Sequence, residues 1–557
     1  MGYRFLVAAA LSLGPATGLA QVVERNLPPA APLGPDLTAP NAIPTEQDDS
    51  PIGPALSAIV LLGAADAVLP AAAPGIDTAR VSRLGGEALE KRLSHFLGRP
   101  LSRRLIAEIE AEIARHYRAR GFPFVALAAP AQEVTTGTLQ IRVVEFHAGD
   151  IAVSGAARTP ATFITDRVRQ RSGAPIDARQ LSQDLDWLNR NPFRTTEAIF
   201  SPGDALGQSD LTLAVAETRP WRVYAGAATS GSRSTGEARL FAGLQAAPFA
   251  AAPDAVLSYQ FTASDDLFGG GVAGYRSHAG IFDLGIAPRQ ALEITLNHVV
   301  TNQAVAVFDI RQKTAEASFG WRGAAGAIGD LRVGVEARRS TRTVGFAGVP
   351  ILDGSASIFQ LYLGAERVLR DPLGHTILSA TAHVSPGGIG ASNSDASLSA
   401  YSDGRVTDAG YFYFDLSATR ATRIGRMQLV TELIGRLTSG PLPDSGQIGI
   451  GGTGLVRGYL LDDGAYDEGI VARNTLQAPA ISLGTASALT PYAFVDAGYA
   501  RERVTGNRAK AVSAGAGAGL NLRRALSASA HIAHAFHDAP YTQNGDWRAE
   551  ARISLSY

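Results

Sequence analysis

The stretch WRAEARISLSY, Trp547 to Tyr557, alternates without a slip. Trp547, Ala549, Ala551, Ile553, Leu555 and Tyr557 fall on one face of a strand, and Arg548, Glu550, Arg552, Ser554 and Ser556 on the other. A period of two with an apolar face, a charged face and a final aromatic describes a β-strand set between two media. Left unpaired at a chain end, such a strand is an aggregation hazard. A closed barrel in a membrane pairs it, turning the apolar face to lipid and the charged face to a wet lumen. An amphipathic strand of a soluble sandwich has the same local pattern, so the rest of the chain has to decide.

At the other end, Arg4 precedes the apolar run Phe5 to Leu13, and Gly18, Leu19 and Ala20 offer small residues for cleavage before Gln21. Residues 1–20 read as a secretory signal peptide, too short and too early for a spanning helix. The chain has no cysteine, which suits an oxidising compartment and removes disulfide and thiolate-metal schemes. A net charge of −1 provides no field to draw nucleic acid. Lys91, Lys313 and Lys510 are the only lysines, so arginine supplies nearly all the positive charge. Beyond the signal peptide no run of about 18 uncharged apolar residues occurs. The nearest, Ile59 to Leu69, carries Asp66 and stops at Pro70. Spanning by helices is excluded; spanning by strands, which are individually weak signals, is not.

Residues 21–55 read as an extended linker, because Pro28, Pro29, Pro32, Pro35, Pro40, Pro44, Pro51 and Pro54 oppose regular helix or sheet. Residues 56–147 then read as strand, helix, helix, strands. Leu105, Ile109, Ile113 and Tyr117 share one helical face, with Ser102 as N-cap and Gly121 as the stop. The order recurs over 148–218, where Leu181, Leu185 and Leu188 mark the apolar side of the second helix. Two small α/β modules in tandem are expected, a repeat of architecture rather than of letters.

From Arg219 to Tyr557 the helical period vanishes and sixteen alternating segments of about ten residues follow. Phe412, Phe414, Leu416 and Ala418, for instance, oppose Tyr413, Asp415, Ser417 and Thr419. The expected fold is α+β modules followed by a sixteen-stranded antiparallel transmembrane β-barrel. Its longest marked gap, 438–468, follows the eleventh strand and so begins at the outer rim. Gly449, Gly451, Gly452, Gly454 and Gly458 allow it a compact path back into the pore.

These residues resemble a family. Val456-Arg457-Gly458-Tyr459 in the long loop, Phe494-Val495-Asp496-Ala497-Gly498 as an F-x-D-x-G strand, and Trp187 to Arg194 with its Asn191-Pro192-Phe193-Arg194 core are similar to motifs of two-partner secretion transporters. So is Arg219 to Gly226 at the barrel entry. These transporters, of the haemolysin secretion/activation type (TpsB), belong to the POTRA-barrel superfamily that includes the barrel-assembly insertases. The resemblance covers about residues 56–557, with the modules as POTRA-like domains. Two departures stand out. Residues 21–54 show no helix to plug the pore, and the chain ends in Tyr557 where phenylalanine is the usual insertion signal.

The resemblance implies that Arg457 reaches into the lumen and contacts Asp496. Strand parity agrees, since Ala493, Val495, Ala497 and Tyr499 make a lipid-facing set and turn Phe494, Asp496 and Gly498 inward. Arg457 offers a fork suited to a carboxylate. A wet lumen is expected to screen the pair. Gly515, Gly517 and Gly519 on the next strand are expected to leave room for the folded-in loop. Other chemistry finds little support. The glycine run lacks the strand-to-helix context of a dinucleotide site, and neither a P-loop nor a G-x-S-x-G elbow occurs. His534 faces opposite to His531 and His537 on a strand, so the three do not converge on a metal. No metal, cofactor or enzymatic activity is expected.

By the same resemblance the chain is a protein-export pore. A large, unfolded, TpsA-like exoprotein is recognised in the periplasm by the modules and threads through the barrel. Further partners are outer-membrane lipid and the barrel-assembly machinery that inserts the chain; the barrel is expected to be monomeric, with no nucleic-acid partner. The alternatives are an outer-membrane insertase or assembly factor, which shares the modules and the loop motif, and a passive porin, which has no need of modules.

Overall fold

The computed structural model describes Leu37 and residues 46–557, apart from positions 71, 82, 270, 271, 306, 307, 348, 391 and 524. The signal peptide expected over 1–20 and most of the linker expected over 21–55 lie outside the described residues. The described chain forms two compact units that divide between Thr218 and Arg219.

In the first module, Ala58–Leu62 is buried along its whole length, as a strand covered on both faces must be. It runs parallel to Gly75–Asp77 and to Thr138–Glu145, and Val125–Ala128 completes the sheet antiparallel to the latter. The long helix Arg103–Ala119 starts where the Ser102 hydroxyl accepts from the Leu105 N–H at 3.1 Å. It stops at Gly121, which takes a φ of 94°. Leu105, Ile109, Ile113 and Tyr117 pack with Ile59, Leu61 and Ile141 into one core.

The second module repeats the plan. His147–Ser154 runs parallel to Gln208–Glu217, which pairs antiparallel with Arg194–Pro202. Helices Ala161–Arg167 and Ala178–Leu188 lie between, the second capped by Asp177 accepting from the Gln180 N–H at 2.9 Å. In both modules the first long strand is parallel to the last, with two helices in the connection. One expectation is corrected at the border. Pro51–Ala55, read as linker, is a strand paired with Pro100–Ser102. This isolated two-stranded pairing is largely exposed, and an edge strand tolerates proline because the missing N–H belongs to its unpaired side.

The second unit is a closed antiparallel barrel of sixteen strands. The first, Trp221–Ala228, pairs with the second, Arg239–Ala246, and with the sixteenth, Trp547–Ser556, so no edge remains. The twelfth is broken into Glu468–Gln477 and Ile481–Gly484, both paired with the thirteenth, Ser487–Arg501. At the rim that carries the barrel's two chain ends most turns are tight, the connection over 247–255 being longer. Arg289 and Ala486 take φ of 55° and 56° in two of them, matching the twist of the flanking strands. Several strands exceed the ten residues read from alternation: the eighth, Val349–Asp371, has 23, and the sixth and seventh, Phe308–Ala324 and Asp330–Phe346, have 17 each. Alternating hydropathy marks only the lipid-crossing part, whereas the ladder of the sixth and seventh continues residue for residue to Phe308 opposite Phe346.

Tyr557 completes the seam. Its N–H donates to the Val223 carbonyl at 2.9 Å, and its ring centroid lies 6.0 Å from that of Trp221. The Arg219 guanidinium covers both rings, at 4.8 Å from Trp221 and 4.7 Å from Tyr557.

Candidate functional site: a loop held inside the barrel

The eleventh strand, Met427–Thr438, ends at the outer rim, and the chain re-enters the wall only at Glu468. Between them the loop turns back into the barrel. Val456, Tyr459 and Ile450 are fully buried there, in a cluster with Val471, Ala511 and Ala535 of the wall. Gly458 permits the turn: its φ is 87°, and a Cβ on it would sit 2.7 Å from the Ala533 Cβ.

Arg457 extends from this turn to the thirteenth strand. Its Nε donates to Asp496 Oδ2 at 2.7 Å and its Nη2 to Asp496 Oδ1 at 2.6 Å, a two-pronged match of planar groups. Nη2 also donates to Thr475 Oγ1 at 3.0 Å, the Arg457 N–H donates to Asp496 at 3.2 Å, and the guanidinium lies 3.8 Å over the Phe494 ring. Arg457 is 4% exposed and Asp496 0%. The expectation of a screened pair is therefore corrected: loop and wall exclude solvent from both charges, and attraction and desolvation are both large. Beside it Arg473, directly opposite Asp496 across the ladder, pairs with Glu432 at 2.9 Å, so the buried charges alternate in sign.

The three glycines of the fourteenth strand, Arg508–Leu522, act differently from the expectation. A Cβ on Gly515 would meet the Phe494 ring at 2.5 Å, and one on Gly517 the Tyr492 ring at 2.8 Å; Gly519 has nothing within 4 Å. The first two clear space for aromatics of the neighbouring strand, one of which then supports Arg457. The glycine that makes room for the loop itself is Gly498, facing Val456 and Ile450.

Further holds on the loop carry no motif. Asp463, fully buried, accepts from the N–H groups of Leu460, Tyr541 and Thr542 and from the Thr542 hydroxyl, at 2.7, 2.8, 3.0 and 2.6 Å. Asp467, also fully buried, accepts from Leu442 N–H, Arg503 N–H, Gln447 Nε2 and Arg405 Nη1. On the wall, Arg338 donates to the Ser445 carbonyl at 2.6 Å, and Arg436, doubly bonded to Asp415, donates to the Gly446 carbonyl. The Tyr459 hydroxyl donates to the His537 carbonyl at 2.9 Å and accepts from the Val512 N–H at 3.2 Å. Only a spacing of acidic residues in a glycine-rich loop could have hinted at Asp463 and Asp467.

The other sequence candidates lie elsewhere. Asn191, Pro192, Phe193 and Arg194 follow the second helix of the second module, and Arg194 opens the next strand. The Asn191 side chain accepts from the Phe193 N–H at 2.9 Å, and Arg194 Nη2 donates to the Leu188 carbonyl at 3.0 Å. His531 pairs with Glu550 at 2.9 Å, while the His534 ring lies against Trp547.

Residues 318–522 match the family model described as Haemolysin secretion/activation protein ShlB/FhaC/HecB, and residues 73–145 match the ShlB-type POTRA domain. Both matches are to the haemolysin secretion/activation family, one within the barrel and one within the first module. Over 152 residues it is 29% identical to the outer membrane transporter CdiB-2 of Burkholderia pseudomallei (strain 1026b), covering 26% of this chain and 24% of that one. Over 157 residues it is 22% identical to the heme/hemopexin transporter protein HuxB of Haemophilus influenzae, covering 27% of each. The alignments thus span about a quarter of the length of these curated relatives. In fold the chain is similar to CdiB from Escherichia coli, with a TM-score of 0.67 at 17% identity over 95% of this chain and 94% of that one. As in that family, the barrel lies in the outer membrane and the N-terminal modules in the periplasm.

Proposed function

We propose that this protein is the outer-membrane pore of a two-partner secretion pair, exporting one large, unfolded exoprotein. The observation that carries the reading is the 439–467 segment, folded into the lumen and fastened to the wall by Arg457 on Asp496. A static porin has no use for a lumen filler held by a few breakable polar contacts. A pore that must stay shut until a chain arrives needs one. The modules supply a receptor. Arg194–Pro202 is an edge strand of nine residues with Ile199 exposed, and an extended chain can add to it through main-chain hydrogen bonds that tolerate many sequences. Folding of the cargo outside biases its motion outward without nucleotide. The Arg457–Asp496 pair, Val456, Gly458, Tyr459 and Phe494 act in this reading as the latch.

Deletion of residues 56–218 tests it. The shortened chain is expected to insert and to export nothing. Normal yield of the partner in the medium would remove the modules from the mechanism. Loss of many unrelated outer-membrane barrels on deleting the whole chain would replace export by an insertase role.

A further inference from the structure

The lipid-facing wall of the fourth to seventh strands is basic where the apolar band ends. Along the sixth strand, Trp321, Phe319, Ala317 and Ala315 face outward and are followed by Lys313. From Trp321 to Lys313 the wall rises roughly 21 Å, taking about 3.4 Å per residue and a tilt of about 40°. That is close to the height of an outer-membrane barrel's apolar band, so Lys313 stands at its outer edge. The ladder sets the neighbours. His278 is opposite His298, His298 opposite Ala315, and Ala315 opposite Arg339. One level further out, Arg276 is opposite Val300 and Val300 opposite Lys313. Five basic side chains thus occupy two adjacent levels of four strands.

Two observations set this patch apart from ordinary surface charge. First, Lys313 and Arg339 are exposed and have no carboxylate at ion-pair distance among the described residues. The carboxylates on this face, Asp353 and Asp309, stand farther out. Asp353 shares a level with Arg311, one level beyond Lys313. Second, a groove of ≈ 650 Å³ opens at the same place. Its lining comes from the basic level, with His278, His298 and Arg339, and from the apolar level beneath, with Leu296, Ala337 and Phe359. The level between, Asn297, Glu316 and Arg338, also borders it, with the Glu316 carboxylate bonded to Asn297 and Arg338, and Lys313 stands just above the lining. Small residues make its floor, and the volume lies inside the roughly 300–1,000 Å³ span of ligand sites. The Tyr259 hydroxyl and His278 Nδ1 share a hydrogen bond at 2.7 Å, which fixes that ring and leaves Nε2 facing the groove's basic level.

We propose that this groove binds a phosphorylated lipid of the outer leaflet, with an acyl chain over the Ala315, Ala317 and Ala337 floor and the headgroup phosphate on His278, His298, Arg339 and Lys313. Apolar chain and anionic head meet the wall in the order the lipid presents them. The site is on the outside of the barrel and is independent of the lumen loop and of the export reading.

The full chain, purified in detergent, is titrated by native mass spectrometry with bis-phosphorylated hexa-acyl lipid A, with the same lipid stripped of both phosphates, and with inorganic phosphate. The wild-type chain is expected to retain the bis-phosphorylated form preferentially. Lys313→Gln with Arg339→Gln is expected to weaken that preference about tenfold or more, since each cation contributes at an anionic surface. The charge-keeping pair Lys313→Arg with Arg339→Lys should preserve it. Ala337→Phe, which fills the groove, should weaken both lipid forms. Heat-modifiable migration shows that each variant is a closed barrel. Equal retention of both lipids by the wild-type chain, or an unchanged preference in the glutamine variant, would overturn the site. So would saturation by inorganic phosphate with no lipid retained.

Discussion

Val456 fills the space that a side chain on Gly498 would need: a Cβ there would lie 2.9 Å from Val456 Cγ2 and 3.1 Å from Ile450 Cγ1. Loop and wall are therefore fitted to one another as knob and hole. Gly498→Ala should lift the loop at a cost of about 1–3 kcal/mol, the usual range for overpacking. Single-channel recordings should show more frequent or larger openings. Val456→Ala in the same chain should return the conductance toward the original, because it gives back the volume. A double variant as leaky as the single would mean that Gly498 matters for the strand and not for the loop.

The Arg457 and Asp496 charges are buried together, so removing one strands the other. Arg457→Ala and Asp496→Ala should each destabilise the docked loop by about 3–5 kcal/mol. Arg457→Lys should rescue poorly, since an ammonium cannot reproduce the planar fork that meets both carboxylate oxygens. The double alanine variant should be little worse than either single, the signature of one shared contact. Export yield and conductance of all four variants measure this. Multiplicative losses would assign the two residues separate roles.

Asp463 ties the returning arm of the loop to the segment between the fifteenth and sixteenth strands through Tyr541 and Thr542. Asp463→Asn keeps the size but replaces one acceptor oxygen by a donor, which then faces N–H groups. Hydrogen exchange should accelerate at the Tyr541 and Thr542 amides while the ladder amides of the thirteenth strand stay protected. Unchanged exchange at Thr542 would show that the arm is held by packing alone.

The periplasmic unit should lose stability in two steps on acidification. His116 is buried, with Nε2 at 3.1 Å from the Leu84 carbonyl and Arg120 donating to Nδ1 at 2.9 Å, which leaves no place for a second ring proton. Burial first, and the Arg120 charge second, hold its pKa below the usual value. The unfolded chain then takes up this proton more readily. The contribution is full above about pH 6.5 and falls as the pH drops below it. Glu217 follows at lower pH. Burial pulls its pKa up, but hydrogen bonds from Thr159, Arg158 and Ala157 outweigh burial and bring it down to about 2. Its contribution is full above about pH 4.3 and is lost toward pH 2. Urea unfolding of residues 46–218 between pH 8 and 3 should show both descents, and His116→Gln should remove the first. A flat profile from pH 8 to 5 would show that His116 is not held neutral.

Sequence alone determined what depends on local period. Alternation carries the face of each residue, so sixteen strands, the inward parity of Asp496 and the outward parity of Val495 were legible from a period of two. Spacing and caps carried the helices, as Ser102 and Gly121 show. Alternation did not carry strand length, because above the lipid both faces meet water and the hydropathy contrast fades while the ladder persists.

What crosses the hollow of the barrel was decided only by the tertiary structure. Thr542 is 79 residues from Asp463 and Ser445 is 107 from Arg338, and no periodicity reports which side chains meet across a lumen. Parity placed Asp496 inside but could not say whether its surroundings were wet. The packed loop made them dry, and so turned a screened surface pair into a buried one. The basic level on the outer wall is of the same kind: Arg276, His278, His298, Lys313 and Arg339 are scattered over 64 positions of sequence and are gathered by the register of four strands. Local chemistry sets the face a residue occupies; closure of the barrel sets its neighbours.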